Sequence, residues 1–300
     1  MHLIVGATGE VGRRVVRALL QAGEPVRAVS RDPARLGDAA RRGAETVVGD
    51  LRRSDWQEAA LAGVERVVIA SHGLVPPSRS NTAKAVDGVG ARRLIDAAAK
   101  AGVRQVLFIS LAGAEREATA FARIKRTTER HLEASGVPWT VLRPTVFAEN
   151  HALLLMGEPL RAGKPVQFFG SGAVKINWIS ASDVADDVVW SLQDTSALGS
   201  VRELRGRDHL SRLDVLALLE RELGVSAKRH HLPLGAMTLM RMLTRPFHPG
   251  LATLLDMALD EERRGGDPPD EHERATWVGP TRVEHVVQHW VAAVQPLGAS

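Results

Sequence analysis

Three glycines, Gly6-Ala-Thr-Gly9-Glu-Val-Gly12, stand between an apolar run, His2-Leu3-Ile4-Val5, and an arginine-bearing stretch with helical periodicity. That spacing suits the grip on a dinucleotide's pyrophosphate. Gly6 permits a tight turn, Gly9 lets the backbone approach the phosphates, and Gly12 lets the next helix pack close to the sheet. A helix expected over Val11–Ala22 then aims its free N–H groups and the positive end of its dipole at the diphosphate, with Thr8, Glu10 and Val11 completing the cradle. The second β-rich run ends at Ser30, where an NAD-selecting site usually places an acid for the ribose hydroxyls. Arg31 follows instead, with Arg35 beyond it, and a guanidinium fork suits the 2'-phosphate of NADP. The competing acid, Asp32, precedes Pro33 and reads better as the cap of the next helix. The expected cofactor is NADP(H), with NAD(H) as the alternative. Asp50 and Leu51, after the third strand, are expected near the adenine.

Composition narrows the class. Three hundred residues, 44% apolar and 25% charged, suit one large α/β unit with a smaller attached lobe. The chain has no cysteine, which excludes a disulfide framework, a thiol nucleophile and a cysteine-ligated metal or iron–sulfur site. It opens on a core strand, and no stretch approaches the length of a membrane span, so the expectation is a soluble, cytoplasmic, unprocessed protein with no membrane partner. The net charge is +4 and the arginines come as scattered pairs such as Arg13-Arg14, Arg41-Arg42 and Arg92-Arg93. Without a basic stripe or a base-stacking platform, direct nucleic-acid binding is not expected.

The elements that must hold these residues alternate regularly. A helix over Pro33–Arg41 leads to a strand at Glu45–Val48, and Ser54 with Gln57 predicts a capping box for a helix ending near Leu61. Strands are expected at Val64–Ala70, Val103–Ile109 and Trp139–Leu142, with helices over Thr82–Ala101 and Ala118–Ser135 between them. Such alternation implies a Rossmann-type, doubly wound parallel sheet covered on both faces, placed in residues 1–150. Residues 151–300 are expected to form a smaller, mostly helical substrate-binding lobe, interleaved with the first. Its elements are a helix over His151–Leu160, a strand at Lys175–Ile179, a helix capped by Ser182 and a strand at Val201–Leu204. A helix capped by Ser211 and Asp214 follows, then a helical stretch over His230–Arg264, a charged loop over Gly265–Glu273 and a last helix over Arg282–Val294. The lobe is expected to dock over the carboxyl ends of the strands, where open α/β sheets bind ligands.

Several segments in register resemble the atypical and extended short-chain dehydrogenase/reductases, most closely the NmrA-like group with its triphenylmethane and NADPH quinone reductases. They are Gly6–Gly12, the stretch Val26-Arg27-Ala28-Val29-Ser30-Arg31-Asp32-Pro33, the stretch from Gly102 to Ser110, the stretch from Ser135 to Pro144, Phe147-Ala148-Glu149-Asn150, and Trp178-Ile179-Ser180-Ala181-Ser182-Asp183-Val184-Ala185. The likeness covers about residues 1 to 195. It implies catalytic roles for Ser110, at the end of the fifth strand, and for Lys125, which would hold the nicotinamide ribose and stabilise developing negative charge. The tyrosine that partners this lysine in the superfamily is replaced by Phe121, and the chain contains no tyrosine at all.

Two readings follow. In one, a reductase passes hydride to a quinone, dye or activated carbonyl or alkene that needs little enzymic acid. In the other, a non-catalytic sensor of the NADP redox ratio acts through a protein partner. Around the nicotinamide, Ser71 is expected on the cofactor and His72 is a candidate substitute acid, against the plainer reading of a solvent-facing loop histidine. Asn150 and His151 are expected with Phe121 at the substrate pocket. His285 and His289, four apart on a helix, lack an evident third ligand, so no metal is expected. Met237, Met240 and Met242 read as packing, with an adaptable apolar pocket as the alternative, and Trp178 and Trp190 read as core.

Overall fold

Four buried residues, His2–Val5, form β1, and their alternation sets the plan of the molecule. Leu3 and Val5 enter one hydrophobic core while Ile4 enters another on the opposite face, as a strand covered on both sides requires. The computed structural model describes residues 1–74, 79–267 and 275–294. After β1 the chain runs through α1 (Glu10–Gln21), β2 (Val26–Ser30), α2 (Gly37–Arg41), β3 (Glu45–Val48), α3 (Gln57–Leu61) and β4 (Arg66–Ile69). A π-helical segment, Lys84–Gly90, continues as α4 (Ala91–Lys100), followed by β5 (Gln105–Ile109), α5 (Ala120–Ala134) and β6 (Trp139–Pro144).

The second half begins with β7 (Val146–Phe147) and another π-helical segment, Glu149–Gly157, that runs into α6 (Glu158–Arg161). Then come β8 (Val166–Phe169), β9 (Lys175–Ile179), α7 (Ala181–Gln193), β10 (Ser200–Gly206), β11 (Asp208–Ser211), α8 (Arg212–Leu223) and β12 (Arg229–Leu232). The last elements are α9 (Leu234–Thr244), α10 (Pro249–Arg264), β13 (Trp277–Gly279) and α11 (Val283–Val294).

Eight strands make the main sheet, in the order β13-β10-β6-β5-β4-β1-β2-β3, and each neighbouring pair is parallel. One face is covered by α3, α4 and α5 through residues such as Leu61, Leu94, Ile95 and Leu132. The other is covered by α1 and α7 through Val15, Leu19, Val184 and Val188. Leu94 and Ile95 are fully buried, each contributing about 1.5–3 kcal/mol of burial. β10 and β13 return to this sheet from late in the chain, so it is not confined to residues 1–150. A separate core, with Met156, Trp178, Leu216 and Val287, holds the smaller lobe, which also carries two short sheets, β11-β9-β7 and β12-β8.

The structure departs from the sequence reading at several points. No capping box forms at Ser54 and Gln57: α3 starts after Trp56 without a side-chain cap, because the buried indole donates to the Asp50 carbonyl at 2.8 Å and fixes the chain there. Ser180, not Ser182, caps α7; its Oγ accepts the Ser182 N–H at 3.2 Å. The stretch from His230 is not helical at its start, since Arg229–Leu232 pairs with β8 and His231 stacks on Phe168 at 5.0 Å. Trp190 is exposed, with Arg202 over its ring at 4.2 Å, whereas Trp178 is core. Met237 is buried but Met242 and Leu239 are exposed. The capping box of Ser211 and Asp214 is present as expected. The charged loop expected over Gly265–Glu273 lies, from residue 268 onward, outside the described residues.

Candidate functional site

The glycine loop is built by close approach. Gly6 sits at φ +90°, and a Cβ there would lie 2.8 Å from the Ser71 nitrogen. A Cβ on Gly12 would stand 2.2 Å from the Gly6 carbonyl oxygen, so loop and helix touch backbone to backbone. Gly9 differs, since a Cβ there would meet only the Gly6 carbonyl, at 3.4 Å; its open side faces the cleft. Gly9 also precedes α1 with no side-chain cap, leaving the first-turn N–H groups for an anion. Val11 is buried in the core behind the loop. Glu10 turns along its own helix to pair with Arg13 and Arg14. Burial raises its pKa, but the two arginines hold it below the ordinary value on balance.

Beside this loop, at the carboxyl ends of β1, β2 and β4, lies a cleft lined by Gly6, Thr8, Gly9, Arg31, Arg35, Asp50, Leu51, Ser71 and His72 of the expected residues. Arg31 and Arg35 are exposed. Arg31 Nη1 donates to Asn81 Oδ1 at 2.8 Å and Arg35 Nη2 to the Thr8 carbonyl at 3.0 Å, and among the described residues neither forms an ion pair. Asp32 caps the turn after β2, accepting the Ala34 N–H at 3.0 Å. Asp50 is engaged by Arg52; burial raises its pKa, and that guanidinium more than offsets it. Ser71 Oγ is buried in the cleft and has no hydrogen-bond partner among the described residues. Asn81 and Val86 also line the cleft, and the sequence reading singled out neither.

Lys125 lies in a different setting. Its Nζ is 2.8 Å from Asp87 Oδ1 and donates to the Ile109 carbonyl at 2.8 Å, while the rings of Phe108 and Phe121 stand 4.5 and 5.5 Å away. The lysine is 2% exposed and Asp87 1%, so the ammonium is committed beneath the cleft. Asp87 is a third residue that sequence reasoning missed; an acid inside the run Val86-Asp87-Gly88-Val89 was the available signal. Ser110 is buried at the end of β5 with its hydroxyl beside Glu129. Glu129 in turn pairs with Arg143 at 3.0 and 2.6 Å. Burial alone raises the Glu129 pKa, yet Arg143, Ser110 and Arg126 hold it below the ordinary value. Phe121 is buried at the start of α5 against Leu74 and Ala83.

His72 is open to the cleft on one side and backed by protein on the other. That partial desolvation lowers its pKa, with Asp87 opposing and Lys125 and Arg31 adding to the pull. Asn150 and His151 are half-buried on the π-helical segment after β7, a local winding frequent at functional sites. His151 Nδ1 contacts the Phe147 carbonyl at 3.2 Å. Burial, together with the charges of Arg212 and His72, pushes its pKa down to about 4. His285 and His289 are exposed on α11, away from these groups.

The cleft fits a phosphorylated dinucleotide on three counts. Among the described residues the Ser71 hydroxyl has no hydrogen-bond partner and the two guanidinium groups beyond β2 have no carboxylate partner, and the open face of Gly9 leaves room for a diphosphate.

The family model described as NAD(P)H-binding matches residues 6–195. An NAD(P)H azoreductase from Xenophilus azovorans is 32% identical over 225 residues, covering 75% of this chain and 74% of the relative. A (4-alkanoyl-5-oxo-2,5-dihydrofuran-3-yl)methyl phosphate reductase from Streptomyces griseus is 30% identical over 267 residues, covering 88% of each. Among solved structures, an NADPH-dependent quinone oxidoreductase from Escherichia coli complexed with NADPH superposes with a TM-score of 0.73 at 25% identity, covering 97% of this chain and 99% of that one.

Proposed function

This chain belongs to the NAD(P)H-binding family, and from that membership we propose that it is an NADPH-dependent reductase acting on a small organic acceptor such as a quinone, a dye or an activated carbonyl or alkene. When bound, NADPH supplies hydride at its nicotinamide C4. The observation that carries the reading is the single cleft that gathers the Gly6–Gly12 loop, Arg31, Arg35 and Ser71 at the ends of adjacent parallel strands. With the strand order β3-β2-β1-β4-β5, the adenosine half belongs over β2 and β3, where Asp50, Leu51 and the two arginines stand. The diphosphate belongs on the glycine loop and α1. The nicotinamide half belongs toward β4 and β5, at Ser71 and His72.

Phe121 offers no proton where the superfamily has a tyrosine, and a missing general acid typically costs roughly two to four orders of magnitude in rate. Acceptors that are electrophilic enough to take hydride without that acid are therefore favoured, with binding side by side supplying much of the acceleration. Lys125 and Ser110 support the floor of the site, and Asn150 and His151 border the acceptor side. The azoreductase and quinone oxidoreductase relatives support this choice. The test is NADPH absorbance with a benzoquinone, an azo dye and an unactivated ketone. Loss with the first two and none with the ketone is expected. Tight NADPH binding without turnover of any acceptor would overturn the reductase in favour of a redox sensor that signals to a protein partner.

A further inference from the structure

We propose that His72 is the hydrogen-bond donor that meets the negative charge developing on the acceptor, presenting its Nε2–H in place of the absent tyrosine hydroxyl, and that the preferred acceptors are those, quinones first, whose reduction builds charge on oxygen. This rests on the reductase reading above.

Elimination and geometry lead to His72. Lys125 is spent on Asp87 and the Ile109 carbonyl. Ser110 Oγ is buried without a hydrogen-bond partner among the described residues, but Ser110 is not among the residues that line the cleft. The Nδ1–H of His151 is spent on the Phe147 carbonyl, which leaves its Nε2 as an acceptor. His72 has the opposite arrangement: the Leu74 N–H donates to its Nδ1 at 3.3 Å, so the proton of the neutral ring is on Nε2. The ring lines the same cleft as Gly6, Gly9 and Ser71, on the β4 side where the nicotinamide half belongs.

The loop that carries it is fastened at the next two residues. Gly73 N–H donates to Asp87 Oδ2 at 2.8 Å, and Leu74 packs on Phe121 and Ala83. Asp87 is thus a positioning residue, with one carboxylate oxygen on the histidine's loop and the other on Lys125. The charged and titratable groups near His72 are Asp87 from the π-helical segment, Lys125 from α5, Arg31 after β2 and His151 after β7. Their balance, with partial desolvation, favours the neutral ring. A neutral imidazole stabilises an oxyanion without surrendering its proton, an established use of histidine.

The chemistry separates acceptor classes. A quinone that takes hydride from bound NADPH becomes a hydroquinone monoanion; the cofactor loses two electrons, the quinone gains them, and one proton from water completes the hydroquinone. His72 donates a hydrogen bond to the phenolate oxygen throughout. A cationic triarylmethane dye takes hydride on carbon and only loses its positive charge, so no oxyanion forms.

The experiment compares His72→Phe, which removes the donor, with His72→Gln, which keeps an N–H donor. The ratio of quinone to cationic-dye turnover is expected to fall about a hundredfold in His72→Phe, the typical effect of losing one oxyanion donor, and to recover to within about tenfold in His72→Gln. In ¹⁵N-labelled protein with NADP⁺ bound, the His72 Nε2 resonance is expected to shift when hydroquinone is added. An unchanged ratio in His72→Phe, an equal loss with both acceptors, or a silent Nε2 resonance would overturn the assignment. A wild-type protein that oxidises no NADPH with quinone would instead defeat the reductase reading on which it rests.

Discussion

Arg31 carries the cofactor-selection argument at the level of a single side chain. It is exposed and rests on Asn81 at 2.8 Å, so removing it takes nothing from the core. A charge-assisted hydrogen bond contributes about 1.5–3 kcal/mol. Arg31→Ala is therefore expected to weaken NADPH binding roughly 10- to 100-fold while changing NADH binding little, read by fluorescence titration of both cofactors. Equal losses would remove Arg31 from the 2'-phosphate. Lys125 teaches the complementary lesson. Its type and place on α5 are visible in the chain, but its commitment depends on Asp87, a buried acid on another segment.

Among the elements, the crossover from β1 through α1 to β2 was legible because its signals are local: apolar alternation, glycines at the strand end and an amphipathic helix follow one another without a break. Its glycines separate two roles. Gly12→Ala drives a Cβ into the Gly6 carbonyl oxygen at 2.2 Å, so the helix must withdraw from the loop, and a loss of stability of about 1–3 kcal/mol by overpacking is expected in urea denaturation. Gly9→Ala meets only a 3.4 Å contact; it is expected to fold with near-native stability and lose NADPH affinity, because the added methyl occupies the diphosphate's side. The reverse order of stabilities would refute this division. The π-helical segments at Lys84–Gly90 and Glu149–Gly157 were not legible, since their hydrophobic pattern reads as ordinary helix. They carry Asp87, which the sequence reading missed, as well as Asn150 and His151, which it named.

At the scale of the whole molecule, His151 responds to groups far away in the chain. Its Nδ1 contacts the Phe147 carbonyl, and burial first, then the charge of Arg212, brings its pKa to about 4 instead of the ordinary 6.5. Between those two values the unfolded chain binds a proton that the folded one refuses, so this contribution to stability is complete above about pH 6.5 and is lost as the pH falls toward 4. His151→Gln is expected to shrink the difference between urea midpoints measured at pH 7.5 and pH 5, and an unchanged difference would show that the histidine is not the responsible group. The influence of Arg212, at the start of α8, is electrostatic and comes from far along the chain. The sequence by itself determined the parallel α/β plan, the glycine loop between β1 and α1 and the arginine beyond β2, because each depends on neighbours in the chain. Only the tertiary structure decided that Lys125 pairs with Asp87 in the interior, that His72 lines the cleft with its Nδ1 accepting the Leu74 N–H, and that late strands β10 and β13 complete the first sheet. Burial and pairing of polar groups arise from distant segments brought together, and no local pattern of residues encodes them.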